Sequence, residues 1–313
     1  MDGMMGQEID ISIVCPMYNE AAMIPPFMAM LFPVLEKLNR PFEIICVNDG
    51  SKDDTFDRLM QEKQQRGHIT VINFSRNFGK EAALTAGLAH AAGRAVIPMD
   101  ADLQDPPELI ADMVAYWDKG YDVVLARRTD RSTDRLSKRI TAKWFYRIHN
   151  LLSSILLPAD VGDFRLMSRK VVDAVNQLPE NQRFMKGIFA WVGFKTATVG
   201  YVRDKRKAGK TRFNFWKLWN LAIDGVTSFS SAPLRIWLYL GIFTSLLSFL
   251  YGCFIVFKTL IYGVDVPGYA SIVTIILFLG GIQLIGIGVI GEYIGRMYLE
   301  TKRRPPYIIE GIY

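Results

Sequence analysis

Cysteine and histidine are scarce, with three of each in 313 residues. Cys15 and Cys46 fall in apolar, strand-like runs and Cys253 in a long apolar stretch, an odd set without metal-ligand spacing. That excludes a disulfide framework and a Cys/His zinc site, and the thiols read as small buried hydrophobes. The start of the chain lacks a basic region followed by an apolar segment, so no cleavable signal peptide is expected. No long-period repeat or low-complexity tract is visible. Charge is missing in two places: between Ile236 and Phe257, and again between Val266 and Gly291. At about 1.5 Å per residue, either stretch crosses a hydrocarbon core of roughly 30 Å. Two transmembrane helices, at about 236–257 and 270–293, are therefore expected.

Half of the residues are hydrophobic and mean hydropathy is +0.15, yet the excess is concentrated after residue 230. The loop between the two apolar stretches, Tyr262 to Tyr269, holds Asp265 and no Lys or Arg. Cations crowd the opposite ends, at Arg235 and at Arg296, Lys302, Arg303 and Arg304. Positive residues stay on the cytoplasmic side. The expectation is a multi-pass protein of the inner (cytoplasmic) membrane, with both termini and the large N-terminal domain cytoplasmic. The net charge of +6 would suit nucleic acid or a lipid surface. Its clustering beside the apolar stretches favours anionic headgroups of the bilayer, and no nucleic-acid partner is expected.

Before residue 130 the chain alternates strand-like and helix-like segments. Strands are expected at Ile9–Cys15, Phe42–Val47, Ile69–Phe74, Arg94–Met99 and Tyr121–Ala126. Helices fit Met23–Leu38, Asp53–Arg66 and Lys80–Ala92. This alternation implies right-handed crossovers and an α/β fold with a mainly parallel sheet, whose ligands bind outside the carboxyl ends of the strands. Two later segments, 136–157 and 211–230, pair a Trp-containing apolar stripe with basic residues, Arg139 among them. Such helices suit the headgroup plane; packing on the sheet is the alternative. Gly281, Gly288, Gly291 and Gly295 fall near one face of the second apolar stretch. Small residues so spaced permit close helix contact, within the chain or in a homo-oligomer, which is expected.

The polar clusters follow the strands. Asp100-Ala101-Asp102-Leu103-Gln104-Asp105 comes directly after the fourth. Alternating carboxylates leave a strand on the same side, where Asp100 and Asp102 can hold a hard divalent cation that takes its other ligands from a substrate's phosphates. Asp105, just ahead of Pro106-Pro107, fits a helix cap better than the other two. After the first strand stands Pro16-Met17-Tyr18-Asn19-Glu20, and after the second Asn48-Asp49-Gly50-Ser51. Capping by Ser51 or Asp53 explains one polar residue per turn, but not Glu20 and Asp49 together, which suit ribose hydroxyls or a base N–H. Ser75-Arg76-Asn77-Phe78-Gly79-Lys80 opens a helix and suits an anionic or polar ligand there.

These motifs in this order, continued by Gly162-Asp163-Phe164-Arg165, a basic stretch at Lys205–Arg212 and the two apolar segments, resemble family-two glycosyltransferases of GT-A fold. Within them the chain looks like the polyprenyl-phosphate glycosyltransferases. The resemblance implies a GT-A domain over 1–230, a two-helix membrane region over 231–296 and a basic cytoplasmic tail over 297–313. It implies transfer, with inversion, of a hexose from a nucleotide diphosphate sugar, UDP-glucose first, to polyprenyl phosphate. Asp100, Asp102 and Gln104 would face Mg²⁺ or Mn²⁺. Pro16, Tyr18, Glu20, Asp49, Lys80, Asp100, Ala101 and Asp102 would line the nucleotide-sugar site. Arg127, Arg139, Arg206 and Lys210 would meet the acceptor or its phosphates. Asp163 would act as a base or position the acceptor, although an acceptor phosphate, with a second pKa near 6, is already mostly deprotonated. Two alternatives stay open: an inactive GT-A membrane scaffold, and a processive polysaccharide synthase. The latter usually carries a Gln/Arg-x-x-Arg-Trp motif that Gln182-Arg183-Phe184-Met185-Lys186 does not match.

Overall fold

The computed structural model describes residues 8–129, 161–181, 183–202, 230, 232–263 and 268–313. Both basic amphipathic segments, apart from Ser230, lie outside these residues, as do Arg139, Arg206 and Lys210.

Four strands and four helices build the first half: β1 (Ile11–Met17), α1 (Ile24–Lys37), β2 (Phe42–Asn48), α2 (Thr55–Arg66), β3 (Ile69–Phe74), α3 (Lys80–His90), β4 (Ala95–Pro98) and α4 (Leu109–Asp118). β1 is apolar at nearly every position and lies at the sheet's centre, paired in parallel with β2 and β4. Burial on both faces selects such a run. Then come β5 (Val123–Arg128), β6 (Val161–Ser168), α5 (Arg169–Gln177), α6 (Met185–Trp191) and β7 (Thr196–Tyr201). With β8 (Ile309–Ile312), the described residues form an eight-stranded sheet in the order β7-β5-β6-β4-β1-β2-β3-β8.

Two apolar layers flank this sheet. Phe27, Leu31 and Leu35 of α1, Leu59 of α2 and Ile110 of α4 pack on one face. Leu84 and Leu88 of α3, Val171 and Val175 of α5, and Ile188 of α6 pack on the other. Close approach is built in at Gly87, where a Cβ would lie 2.2 Å from Cγ1 of Val14.

β6 is the element that composition does not announce. It runs antiparallel to β4 and to β5. Its direction is what carries Gly162 and Asp163, at the start of a strand, to the edge where the parallel strands end.

The long apolar helices are α7 (Ala232–Tyr262) and α8 (Tyr269–Thr301). Their most apolar windows have mean hydropathies of 2.1 and 1.5, and 0% and 6% of those windows is buried. A core helix of this length would be covered by protein; these two expose Leu246, Phe249, Leu284 and Ile287. Trp237 of α7 fits the notch at Gly286 of α8, where a Cβ would lie 1.9 Å from the indole nitrogen. Among the described residues, a Cβ at Gly281, Gly288, Gly291 or Gly295 would meet nothing within 4 Å. The glycine that makes the contact within the hairpin is thus a different one.

The end of the chain differs from a plain basic tail. α8 continues to Thr301, and after Lys302–Ile308 the chain returns to the sheet as β8 (Ile309–Ile312), antiparallel to β3. Ile309, Tyr307 and Phe74 supply the reason: Tyr307 stacks on Phe74 at 5.1 Å, and both Tyr307 and Ile309 pack on the buried layer beneath. An edge strand left bare would present unpaired amides; here β8 covers them.

Candidate active site

The loops after β1, β2, β3 and β4 converge on one cleft of about 330 Å³, lined among others by Pro16, Tyr18, Glu20, Asp49, Gly79, Lys80, Asp100, Ala101 and Asp102. Eight residues expected at the nucleotide-sugar site thus line a single space, although the nearest neighbours among their motifs are some 20 to 30 positions apart.

Gly50 allows two of these loops to touch. Its φ is +59°, and a Cβ there would lie 2.3 Å from the carbonyl carbon of Arg76. Asp49, 3% exposed, uses the contact. Its carboxylate accepts the N–H of Phe78 at 2.6 Å, the N–H of Gly79 at 2.9 Å and Nδ2 of Asn77 at 2.8 Å. It therefore caps the entry to α3 from the neighbouring strand, satisfying donors that a helix start leaves open. Burial raises the pKa of Asp49, and the two backbone N–H groups oppose that rise.

The capped turn aims Lys80. Its Nζ lies 2.7 Å and 2.8 Å from the two oxygens of Asp100 and 2.8 Å from Oδ2 of Asp163. One ammonium thus joins a carboxylate from the end of β4 to a carboxylate from the start of β6. Burial disfavours the Lys80 charge, but Asp100 and Asp163 outweigh it and raise its pKa. Burial likewise pushes the Asp163 carboxyl up, while Lys80, Lys186 and Arg165 hold it down at about 2. Arg165, two residues on, is almost fully buried and turns Nη2 to the carbonyl of Gly162 at 2.7 Å, with its guanidinium 4.4 Å over the Phe189 ring. Burial lowers its pKa to about 10. The ion-pair partner of Asp163 is thus Lys80, 83 positions away.

Sequence reasoning missed Glu81, next to Lys80. Its Oε2 accepts the N–H of Met185 at 3.2 Å, at the start of α6. Burial, and secondarily Asp163, pushes its pKa up to about 7. No local pattern marks it, because its environment is assembled from β6 and α6.

The Asp100–Asp102 turn is bent at Leu103, whose φ of +54° lies in the left-handed region. That conformation costs a residue with a Cβ about 1–2 kcal/mol, and Leu103 is anchored by burial at 3% exposure. The bend brings the N–H of Gln104 to Oδ1 of Asp102 at 3.2 Å. Gln104 itself does not line the cleft. Asp105 turns inward rather than capping α4: the Tyr201 hydroxyl donates to it, and Arg128 Nε lies 3.3 Å from that hydroxyl. Burial and Asp105 push the Tyr201 pKa up to about 12. This brace ties the acidic turn to β5 and β7. Arg127 is exposed at the end of β5, paired with Val161 across from the Asp163 strand, and stands outside the cleft's lining.

Asp100 and Asp102 bring oxygen donors only, the ligand type of Mg²⁺ or Mn²⁺. Among the described residues, no group of three or more His, Cys, Asp or Glu side chains is placed to hold a metal alone. The pair fits a cation that draws its remaining ligands from a bound diphosphate.

The family model described as glycosyl transferase family 2 matches residues 12–175, and that described as the GtrB C-terminal hairpin matches 232–297. A bactoprenol glucosyl transferase of Shigella phage SfV is 53% identical over 300 residues, spanning 96% of this chain and 98% of the relative. An uncharacterized glycosyltransferase of Synechocystis is 53% identical over 305 residues, spanning 97% and 96%. An uncharacterized glycosyltransferase of Bacillus subtilis, YkcC, is 43% identical over 309 residues, spanning 99% and 96%. The chain belongs to the family-two glycosyltransferases, with their GT-A-like α/β fold and the hairpin of their polyprenyl-phosphate branch, and is an enzyme of glycosyl transfer.

Proposed function

We propose that this enzyme transfers glucose from UDP-glucose to a polyprenyl phosphate at the cytoplasmic face of the membrane, inverting the anomeric carbon. The observation that carries the reading is the cleft at the strand ends, where acidic turns and a basic turn meet at a size fit for a nucleotide sugar. The 53% identity to a bactoprenol glucosyl transferase over 96% of this chain supports glucose and the lipid carrier.

Pro16, Tyr18, Glu20 and Asp49 would hold the nucleoside. Asp100 and Asp102 would hold a divalent cation; when bound, it neutralises charge that grows on the departing diphosphate. Lys80 would add its ammonium on the same side. The acceptor phosphate, with a second pKa near 6, arrives mostly deprotonated and attacks without a strong base. Asp163, held at about 2, is a weaker proton acceptor than that phosphate. Its role in this reading is to orient Lys80. Arg127, with Arg139, Arg206 and Lys210, would draw the acceptor anion against the charge of the donor.

The exposed helices α7 and α8 would span the bilayer, with Arg235 and the Arg296–Arg304 cations on the cytoplasmic side. The open glycines of α8 suit contact with a second copy.

The test is transfer by purified protein with Mg²⁺ or Mn²⁺, a short polyprenyl phosphate and a panel of UDP- and GDP-sugars, read by the mass of the lipid product. A product one hexose heavier from UDP-glucose is expected. Formation of product from GDP-mannose or UDP-GlcNAc alone would replace the sugar, and no lipid product with any donor would overturn the function.

A further inference from the structure

A chain of side-chain hydrogen bonds crosses the sheet from its last strand to the cleft. Glu310, exposed on β8, accepts from Asn73 Nδ2 on β3 at 2.7 Å. Asn73 Oδ1 accepts from Asn48 Nδ2 on β2 at 2.7 Å. Asn48, 2% exposed, accepts the N–H of Ser51 on its Oδ1 at 3.3 Å. Ser51 Oγ accepts the N–H of Asn19 at 3.0 Å, and Asn19 Oδ1 accepts the N–H of Lys52 at 2.8 Å. The far end of this chain is the pair of turns carrying Tyr18, Glu20 and Asp49.

Every link has a direction. A carboxylate only accepts, while an Asn amide has one accepting and one donating end. Glu310 therefore fixes which way Asn73 faces, Asn73 fixes Asn48, and Asn48 presents its oxygen to Ser51. Such chains polarise and reinforce one another.

We propose that Glu310, on the strand that follows the apolar hairpin, is a positioning residue for the nucleotide cleft, acting through Asn73 and Asn48 on the Asp49–Ser51 turn. This rests on reading the cleft as a nucleoside-diphosphate site. It makes the return of the chain from the hairpin a part of donor binding rather than only a cover for the edge of β3. The main-chain pairing of β8 with β3 does not depend on the Glu310 side chain, so the two roles separate.

The test uses the full-length protein in detergent with Mn²⁺, titrated calorimetrically with UDP and with GDP. Steady-state constants and thermal unfolding are measured alongside. E310Q keeps an accepting oxygen and is expected to bind within about twofold of wild type. E310A is expected to bind about three- to tenfold more weakly, less than the full cost of a lost hydrogen bond to a charged group, because the effect reaches the cleft through two asparagines. E310K binds more weakly again: a donor at 310 turns Asn73 and then Asn48 around, leaving Nδ2 of Asn48 against the N–H of Ser51. These losses appear in the KM for the donor, with kcat and the acceptor KM unchanged. N73A should weaken binding by itself, and N73A/E310A should be no weaker than N73A, since the relay is already cut. Wild-type affinity in E310A and E310K, equal impairment in E310Q and E310A, or full additivity with N73A would each overturn the inference. Wild-type protein that binds neither UDP nor GDP would overturn the nucleotide reading of the cleft itself.

Discussion

At the carboxyl edge of the sheet, the turns after β1, β2 and β3 meet through hydrogen bonds of 2.6–3.3 Å, and Lys80 ties in the carboxylates of the β4 turn and of β6 at 2.7–2.8 Å. In the hairpin, two helices of 31 and 33 residues approach at Trp237 and Gly286 and leave most of their apolar surface uncovered. The first region is held by directional polar contacts, each with a named partner, and a misplaced atom there changes chemistry. The second is held by shape at a few small residues, and its outer surface asks only for an apolar surrounding.

The largest effect expected from this contrast is at the edge. Asp102→Ala should lower kcat by about a hundred- to a thousandfold, as expected when electrostatic stabilisation of a leaving group is lost, with unfolding temperature and hairpin unchanged. Activity of that variant within tenfold of wild type would remove Asp102 from the site. Asp163→Asn should cost less, on the order of ten- to a hundredfold at pH 8, because it disturbs the placement of Lys80 without removing an obligatory base. A pH–rate profile whose alkaline plateau disappears in the variant would instead make Asp163 the base.

The hairpin answers to a different readout. Gly286→Val should push Trp237 aside and lower the unfolding temperature in detergent, by an overpacking cost of about 1–3 kcal/mol. UDP affinity should stay within twofold of wild type; a parallel loss would mean that the two regions are one cooperative unit. A pH-dependent effect concerns Glu81, whose pKa rises from 4.5 to about 7 through burial. The folded state holds this proton more tightly than the unfolded state, so the group's contribution is fully present below pH 4.5 and is lost as pH rises through 7. Glu81→Gln, which keeps an acceptor for Met185, should therefore melt above wild type at pH 8 and level with it at pH 4. Equal melting at both values would show that the carboxyl is not buried in solution.

Much of this was legible in the chain itself. Charge-free runs announced α7 and α8, and apolar runs followed by acidic turns announced β1, β2 and β4 with their loops. Both are patterns of a few consecutive residues, governed by helix rise, strand alternation and the burial of parallel strands. The expected ranges for β3 and for the start of α3 match the structure residue for residue, because the apolar run and the Gly79 turn bound them locally. Asp105 was misread as a cap because proline context is local, whereas its partner Tyr201 is 96 residues away. The Lys302–Tyr313 segment looked like a basic tail because its charges come first and its pairing strand lies far upstream.

What sequence by itself determined is the class of each segment: which stretches must leave water, which must stay in it, and which turns carry acids. Only the tertiary structure decided the partners, namely that β6 runs backwards to bring Asp163 to Lys80, that Asp49 caps a helix from another strand, and that Glu310 reaches the cleft through two asparagines. The physical reason is separation along the chain. Hydropathy and backbone preference act between near neighbours, while an ion pair across 83 residues exists only once the sheet has set the distance.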